Sequence, residues 1–355
     1  MARGFDFGTS ILVVAEKDDS GKTTVRSERN CFMDVGLDFE DMISQSGYSY
    51  IIDEQYGEKK IFIIGKDAIK LANLMSQNEG DGTRTSGLRR PMRRMILNSK
   101  QDKKAMQMLK YISQSLLGKP KKAGEICVYG VPADPLDQSH NTTFHSSMCR
   151  SFVEELGYEA YPINEALAVI YATNPTVKTE DEEIPMTGIG VSFGGGGTNA
   201  TLAYRGKSTI QFSIPRGGDW IDDQAAGVTS LTTSEITILK EKYSREEKLD
   251  LGSPQLGDEI LGALYIYYEN LIRTVINKFK DEFIAKGTQF TDPIQVIVSG
   301  GTSKPKGFDK LVQKVIKESN WPFDISKVKR AKDPLSATAV GALTAALSKE
   351  KKKKQ

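Results

Sequence analysis

The feature that most constrains this chain occurs twice. A short β-rich segment runs into a glycine turn and continues as a second β-rich segment. GFDFGTSILVVAEK does this at the start of the chain, and GIGVSFGGGGTNATLAYRGK does it at the start of the second half. Each copy then reaches a further turn, SGKTT in the first and a Gly-Lys turn in the second, so each half begins as a strand meander. At 355 residues the chain exceeds what one hydrophobic core supports. Two such openings predict a duplicated α/β fold of two lobes with a ligand held between them.

The segments between the openings fit that plan. Residues 28–80 mix the strands YSYIID and KKIFIIG with the helix KDAIKLANLM, as a small inserted α/β subdomain would, and a polar loop runs from Gln77 to Ser86. A long amphipathic helix (KKAMQMLKYISQSLL), a buried strand (EICVYGVPA), and helices over His145–Leu156 and INEALAVIYAT complete the first half. The acidic loop KTEDEE separates the halves, giving an expected first lobe of 1–160 and second lobe of 161–355. Helices predominate from Asp219 to Lys286, with an inserted helical subdomain at about 219–255. The strand IQVIVSG, the glycines of SGGTSKPKGF and the helix DPLSATAVGALTAAL close the chain ahead of a lysine-rich tail.

The glycine turns carry the chemistry. Such a turn presents several backbone N–H groups in a concave array, which is what polyphosphate oxygens need. Asp6 precedes the first turn, where a carboxylate can hold a hydrated Mg²⁺, and Gly8, Thr9 and Ser10 supply amides and hydroxyls. The second turn, Gly194, Gly195, Gly196, Gly197 and Thr198, can oppose it and clamp one nucleotide. At the third cluster, Gly300, Gly301 and Thr302, bare backbone lets a flat adenine or ribose approach.

Two other pattern matches fail on context. Gly21-Lys22-Thr23-Thr24 resembles the end of a P-loop, but that motif needs a glycine where Glu16 stands and a helix starting at the lysine. Gly190-Val191-Ser192-Phe193-Gly194 fits a hydrolase nucleophile elbow, yet it leads into a strand, and the two histidines, His140 and His145, precede the serine.

Composition narrows the classes further. No stretch approaches the ~18 apolar residues of a membrane span. The N-terminus MARGFDFGTS lacks an apolar signal core, and Cys31, Cys127 and Cys149 lie too far apart for a disulfide framework or zinc site, so a reducing cytoplasm is expected. A net charge of +2 gives no expectation of a nucleic-acid partner. Two basic stretches, Arg84 through Arg89, Arg90, Arg93 and Arg94 to Lys104, and the tail Lys349–Lys354, are readable in two ways. Each can meet an anionic surface such as a membrane face, or be a solvated loop and a helix end whose lysines favour the helix dipole.

In order and spacing these segments resemble the actin, sugar kinase and heat-shock chaperone superfamily over nearly the whole chain. GFDFGTSILVVA and VSFGGGGTNATLA resemble its two phosphate motifs, and IVSGGTSKPKGF its adenosine motif. INEALAVIYA and DPLSATAVGALTAAL resemble the two helices that cross between lobes, and PRGGDWID, with Gly218, the turn found in MreB-like actins and chaperones. The length leaves no room for a chaperone's peptide-binding domain, and the N-terminus lacks the amphipathic anchor of some MreB proteins. Both points favour a filament-forming actin of MreB or MamK type.

The resemblance implies ATP or ADP with Mg²⁺ as ligands and the chain itself as a partner in a homopolymer. It implies that Asp6 organises the magnesium hydration shell, that Glu165 orients the attacking water, and that Thr198 or a neighbouring hydroxyl approaches the γ-phosphate. Glu235, Lys240 and Glu241 lie where the superfamily places adenine or ribose contacts, with ordinary surface charge as the alternative. Gly300, Gly301 and Thr302 would meet the nucleoside. Two departures stand out: Ala166 follows Glu165 where a proline is usual, and Ser192 or Phe193 stands where the second phosphate motif has an aspartate. Because phosphoryl transfer depends on positioning and electrostatics, nucleotide binding is expected to persist while turnover is slow. A small-metabolite kinase and a non-polymerising nucleotide-binding adaptor are the alternatives to a filament.

Overall fold

The computed structural model describes residues 2–55, 58–78, 87–137, 141–173, 176–178, 183–287, 290 and 293–354. The opening meander becomes three antiparallel strands, β1 (Arg3–Phe7), β2 (Ile11–Lys17) and β3 (Thr23–Arg29). An inserted α/β unit follows: β4 (Phe32–Val35), α1 (Glu40–Ser46), β5 (Tyr50–Gln55), β6 (Glu58–Ile64), α2 (Gly65–Asn78) and β7 (Leu88–Arg89). Its four-stranded sheet has the order β5-β6-β4-β7. A tight hairpin, β8 (Met92–Arg93) and β9 (Ile96–Leu97), then leads through α3 (Ala105–Leu117) to β10 (Ile126–Val131). Next come α4 (Thr143–Glu154) and β11 (Glu159–Asn164), with β10 and β11 added in parallel beside β1. Of the loop expected at Gln77–Ser86, Gln77 and Asn78 end α2 and the remainder lies outside the described residues, as does most of KTEDEE.

After α5 (Glu165–Thr173) and a short hairpin, β12 (Thr176–Lys178) and β13 (Glu183–Pro185), the plan repeats. Strands β14 (Gly188–Phe193), β15 (Thr198–Tyr204) and β16 (Lys207–Ile214) are antiparallel. Helices α6 (Gly218–Ala226), α7 (Thr233–Arg245) and α8 (Glu259–Lys286) lead to β17 (Ile294–Ser299), then α9 (Phe308–Glu318), β18 (Ile325–Arg330) and α10 (Ala337–Lys354). Strands β17 and β18 run parallel to β14. The two five-stranded sheets, β11-β10-β1-β2-β3 and β18-β17-β14-β15-β16, therefore have one topology, as the two openings predict.

The halves exchange helices. Helix α5 follows the last strand of the first sheet but packs on β14, β15 and β17, whereas α10 follows the second sheet and packs on β1, β2 and β10. Glycine permits both contacts. A Cβ on Gly190 would land inside the Ala166 carbonyl of α5, and one on Gly4 inside the Ala339 carbonyl of α10. The two helices cross at Gly341, whose missing Cβ would overlap Ala168. With α3 and α4 covering the other face of the first sheet, and α8 and α9 that of the second, strands β10 and β14 are buried on both faces. That explains why both strands are rich in apolar residues along their length.

The lysine tail continues α10 to Lys354. Lys349 lies 4.0 Å over the Tyr161 ring and Lys353 pairs with Glu159, so this end of the helix packs on β11.

Candidate functional site

Gly4 and Gly190 each stand two residues before the position of interest in β1 and β14, so the helix contacts fix the correspondence between the halves. Asp6 pairs with Gly130 of β10, and Ser192 pairs with Ser299 of β17. Ser192, buried at the head of β14, is thus the counterpart of Asp6. Phe193 points into the core, 5.0 Å from the Phe308 ring.

The two turns meet face to face. A Cβ on Gly196 would fall 2.5 Å from Thr9 Oγ1, and one on Gly195 would strike Ser10 Oγ and lie 3.6 Å from Asp219 Oδ1. Side chains at Gly195 and Gly196 would wedge the turns apart, while one at Gly197 would strike Met95. Asn30, fully buried, braces the first turn by donating its amide to the Gly8 carbonyl (3.0 Å) and its backbone N–H to Ser10 O (3.0 Å). The second turn is closed by Gly194 N–H on Gly197 O (2.9 Å). Its outer carbonyls are taken by the start of α6: Gly218 N–H donates to Gly194 O (3.0 Å) and Asp219 N–H to Gly195 O (2.9 Å).

Below the turns lies a carboxylate pair. Asp6 leaves β1 and Glu165 begins α5, both over Gly130, whose added Cβ would sit 3.3 Å from Glu165 Cγ and 3.6 Å from Asp6 Oδ1. Desolvation pushes Asp6 up to about 7. Desolvation, then the negative charge of Asp6, raises Glu165 well above the carboxylate range, against the opposing effect of its hydrogen bond from Asn199. Asn199 Nδ2 donates to Glu165 Oε2 at 2.8 Å while Asn199 Oδ1 accepts from Ala133 N–H at 2.9 Å. That segment also bridges to β16, with Ser213 N–H donating to Asp134 O (3.2 Å), so the second half reaches into the first directly beneath the site.

Several expected site residues make contacts within the protein. Thr198 is fully buried and donates its hydroxyl to the Arg216 carbonyl (2.9 Å), so strand alternation turns Asn199, not Thr198, toward Glu165. Thr302 donates to Gly194 O (2.8 Å) and supports the second turn. Gly300, at φ 90, packs against the Phe193 backbone, while Gly301 meets only the Leu335 side chain. Glu235 forms a capping box with Thr232 at the start of α7. Lys240 binds Asp222 (2.7 Å) and Gly218 O (2.9 Å), joining α7 to the start of α6. Glu241 pairs with Arg29 at 3.2 Å.

Of the basic stretch, Arg90 reaches this site, while Arg93 and Arg94 are exposed. Arg90 Nη1 lies 2.9 Å from both Asp219 oxygens and 3.3 Å from Ser10 Oγ, beside the meeting point of the turns. Arg89 lies over the Phe32 ring and pairs with Asp102 (3.3 Å), and Arg93 bonds Gln101 (2.9 Å). Arg84 lies outside the described residues. Asn199, Arg90 and Met95, buried beside the second turn, are the site residues that sequence reasoning missed.

The donor set suits Mg²⁺ of a particular kind. Mg²⁺ binds through one or two carboxylates and keeps water or phosphate oxygens for the rest. Among the described residues no cluster of three or more His, Cys, Asp or Glu forms a complete metal cage. Two crowded carboxylates with raised proton affinity are what a divalent cation would relieve.

Two topologically equal sheets, exchanged helices and opposed glycine turns over an acid pair define an actin-like α/β fold. Similar solved structures share it. "MamK double helical filament" superposes with a TM-score of 0.65 at 17% identity, covering 98% of both chains. "MreB5 of Spiroplasma citri bound to ADP" gives 0.57 at 15%, covering 99% of this chain and 97% of that one. Ethanolamine utilization protein EutJ from Carboxydothermus hydrogenoformans gives 0.51 at 18%, covering 96% and 89%. No curated protein matches the sequence. The chain belongs to the Volactin family, whose model it matches over residues 1–346. Among the described residues no helix is long and apolar enough to cross a membrane.

Proposed function

We propose that this chain is an ATP-binding actin-like protein that polymerises in a nucleotide-dependent way, with residues 1–160 and 161–355 acting as two lobes around the nucleotide. The observation that carries this is the contact of Thr9 and Ser10 with Gly195 and Gly196 directly above Asp6 and Glu165. In this reading the phosphates are bound by the amides of Gly8–Ser10 and Gly194–Gly197, so the turns, in contact here, part to admit them and clamp them from both sides. Asp6 would hold a hydrated Mg²⁺, whose charge would offset that of the phosphates, and Glu165, oriented by Asn199, would position water. Gly301 and the α6–α7 junction around Gly218, Lys240 and Glu241 border the nucleoside. Further support comes from the printed states of similar folds: a MamK double helical filament, a MamK mutant bound to AMPPNP, and MreB5 bound to ADP.

Head-to-tail contact between copies is heterologous and builds open filaments. Pelleting and negative-stain microscopy with ATP and with ADP test this: filaments in one state and fewer in the other are expected. Monomers under all nucleotide conditions would favour the adaptor reading. ATP consumption only with an added small molecule would indicate a kinase.

Ser192 gives the adaptor reading its one specific support. A hydroxyl stands where symmetry with Asp6 would put a second acid, so hydrolysis is expected to be slow. Steady-state phosphate release should be well below that of relatives with both acids. Brisk turnover, undiminished in Ser192→Ala, would contradict this.

A further inference from the structure

The β8–β9 hairpin turns on Arg94 and Met95, at φ 48 and φ 71. A two-residue turn with positive φ at both central positions normally takes Asn-Gly, because a Cβ crowds the backbone there. Neither residue here is glycine, so the turn's own preferences do not hold the tip in place. Its surroundings do. Met95 is only 4% exposed. Its backbone nitrogen would lie 2.9 Å from a Cβ on Gly196, and its methyl carbon 2.6 Å from one on Gly197, so the tip is wedged against the second glycine turn. Its sulfur stands 3.5 Å from Asn199 Nδ2, the atom that also donates to Glu165.

That contact uses up the Asn199 side chain. The amide has two N–H donors and one carbonyl oxygen. One donor goes to Glu165, the oxygen accepts from Ala133 N–H, and the remaining donor faces the thioether. A thioether is a weak acceptor, and a water oxygen in the same place would bond the amide better. Sulfur therefore occupies the seat next to Glu165 where an ordered water would be held. Backbone strain of this sort persists only where the surroundings impose it, and it clusters at active sites and switch regions.

We propose that Met95 is a stopper in the seat of the attacking water, and that withdrawal of the 94–95 tip admits water to Glu165 and sets the rate of hydrolysis. The proposal rests on the ATP-binding reading above. In the step it gates, the water oxygen bonds to the terminal phosphorus and its proton passes to the Glu165 carboxylate. The bond from that phosphorus to the bridging oxygen breaks, its electron pair leaving with ADP. Met95 is a positioning residue here, acting through Asn199 and through exclusion of water.

The test uses the full chain with Mg²⁺ and ATP, reading nucleotide affinity by titration and phosphate release in a single turnover. Glycine suits φ 71 better than methionine does, so Met95→Gly relaxes the turn while removing the thioether; Met95→Ala is the second variant. Both should release phosphate faster, Met95→Gly by about tenfold or more. The gain should vanish in a Met95→Gly/Asn199→Ala double variant. A rise in rate is not what structural damage produces, so the direction separates gating from misfolding. Release at or below the wild-type rate in both variants, with ATP still bound, would overturn the stopper and leave the ATP-binding reading standing. So would a gain undiminished without Asn199. A wild-type chain that binds no ATP would overturn both.

Discussion

At Asp6 and Glu165 two buried carboxylates share a cleft, and desolvation, with Asp6's charge acting on Glu165, makes each favour its proton. The pH dependence follows from the sign of that shift. Asp6 has an ordinary value of 3.8 and is raised to about 7 by desolvation, so the folded protein binds a proton that the unfolded chain releases over that range. The stabilisation is complete below the ordinary value and is lost as pH rises through about 7. Without Mg²⁺ or nucleotide, the melting temperature should fall over that interval, and Asp6→Asn should reduce the dependence, leaving the part that desolvation of Glu165 contributes. Bound Mg²⁺·ATP should remove the dependence. For catalysis, Glu165→Gln should lower phosphate release by about 10²–10⁴-fold with ATP binding retained, measured by titration and single turnover. The acid pair was legible in the sequence because each residue sits beside a distinctive neighbour, a glycine turn or the Asn164-Glu165-Ala166 helix start. Asn199 was not, since only the register of β15 decides whether Thr198 or Asn199 faces Glu165. Met95 was hidden for another reason: its hairpin carries no turn signature, and tertiary contacts hold it in a shape its residues disfavour; Arg90, just before that hairpin, read only as part of a basic stretch.

Helices α5 and α10 hold the site's geometry through backbone contact at three glycines. Side chains there have nowhere to go, because the obstacle is a carbonyl or helix backbone. Gly341→Leu and Gly190→Val should each destabilise the fold by about 1–3 kcal/mol or more, read from denaturant midpoints, with nucleotide affinity falling in parallel. Gly257→Ala, where an added Cβ meets nothing within 4 Å, is the control. The strand–turn–strand openings and the long helices showed in the sequence through their periodicity. Sheet order did not, because parallel pairing of β1 with β10 and of β14 with β17 joins segments far apart in the chain. Nor did the destinations of Glu235, Lys240 and Thr302: charge and hydroxyl positions carry no mark of whether they will cap a helix or meet a ligand.

Across the whole molecule, the halves are held by the exchanged helices and the Ala133–Leu136 segment, and on the α6–α7 side half-exposed ion pairs bridge them, Arg90–Asp219 (2.9 Å) and Arg29–Glu241 (3.2 Å) among the described residues. Pairs of that exposure are worth about 0–1 kcal/mol each, too little to fix closure by themselves. On the proposed reading, nucleotide bound at the turns can then shift the balance between closed and open forms. Arg29→Ala combined with Arg90→Ala should leave the melting temperature nearly unchanged yet enlarge the nucleotide-free radius of gyration in small-angle scattering, with ATP restoring compactness. An unchanged radius would mean that the exchanged helices alone set the closure.

The account turns on nucleotide lying between the two glycine turns. Calorimetric titration of Mg²⁺·ATP into the wild type and into Gly196→Val tests this most directly, because the added side chain would fall where Thr9 Oγ1 lies, at 2.5 Å from its Cβ. Saturable one-to-one binding by the wild type, abolished in a folded Gly196→Val, is the predicted result. No binding by the wild type, or equal binding by both, would contradict it.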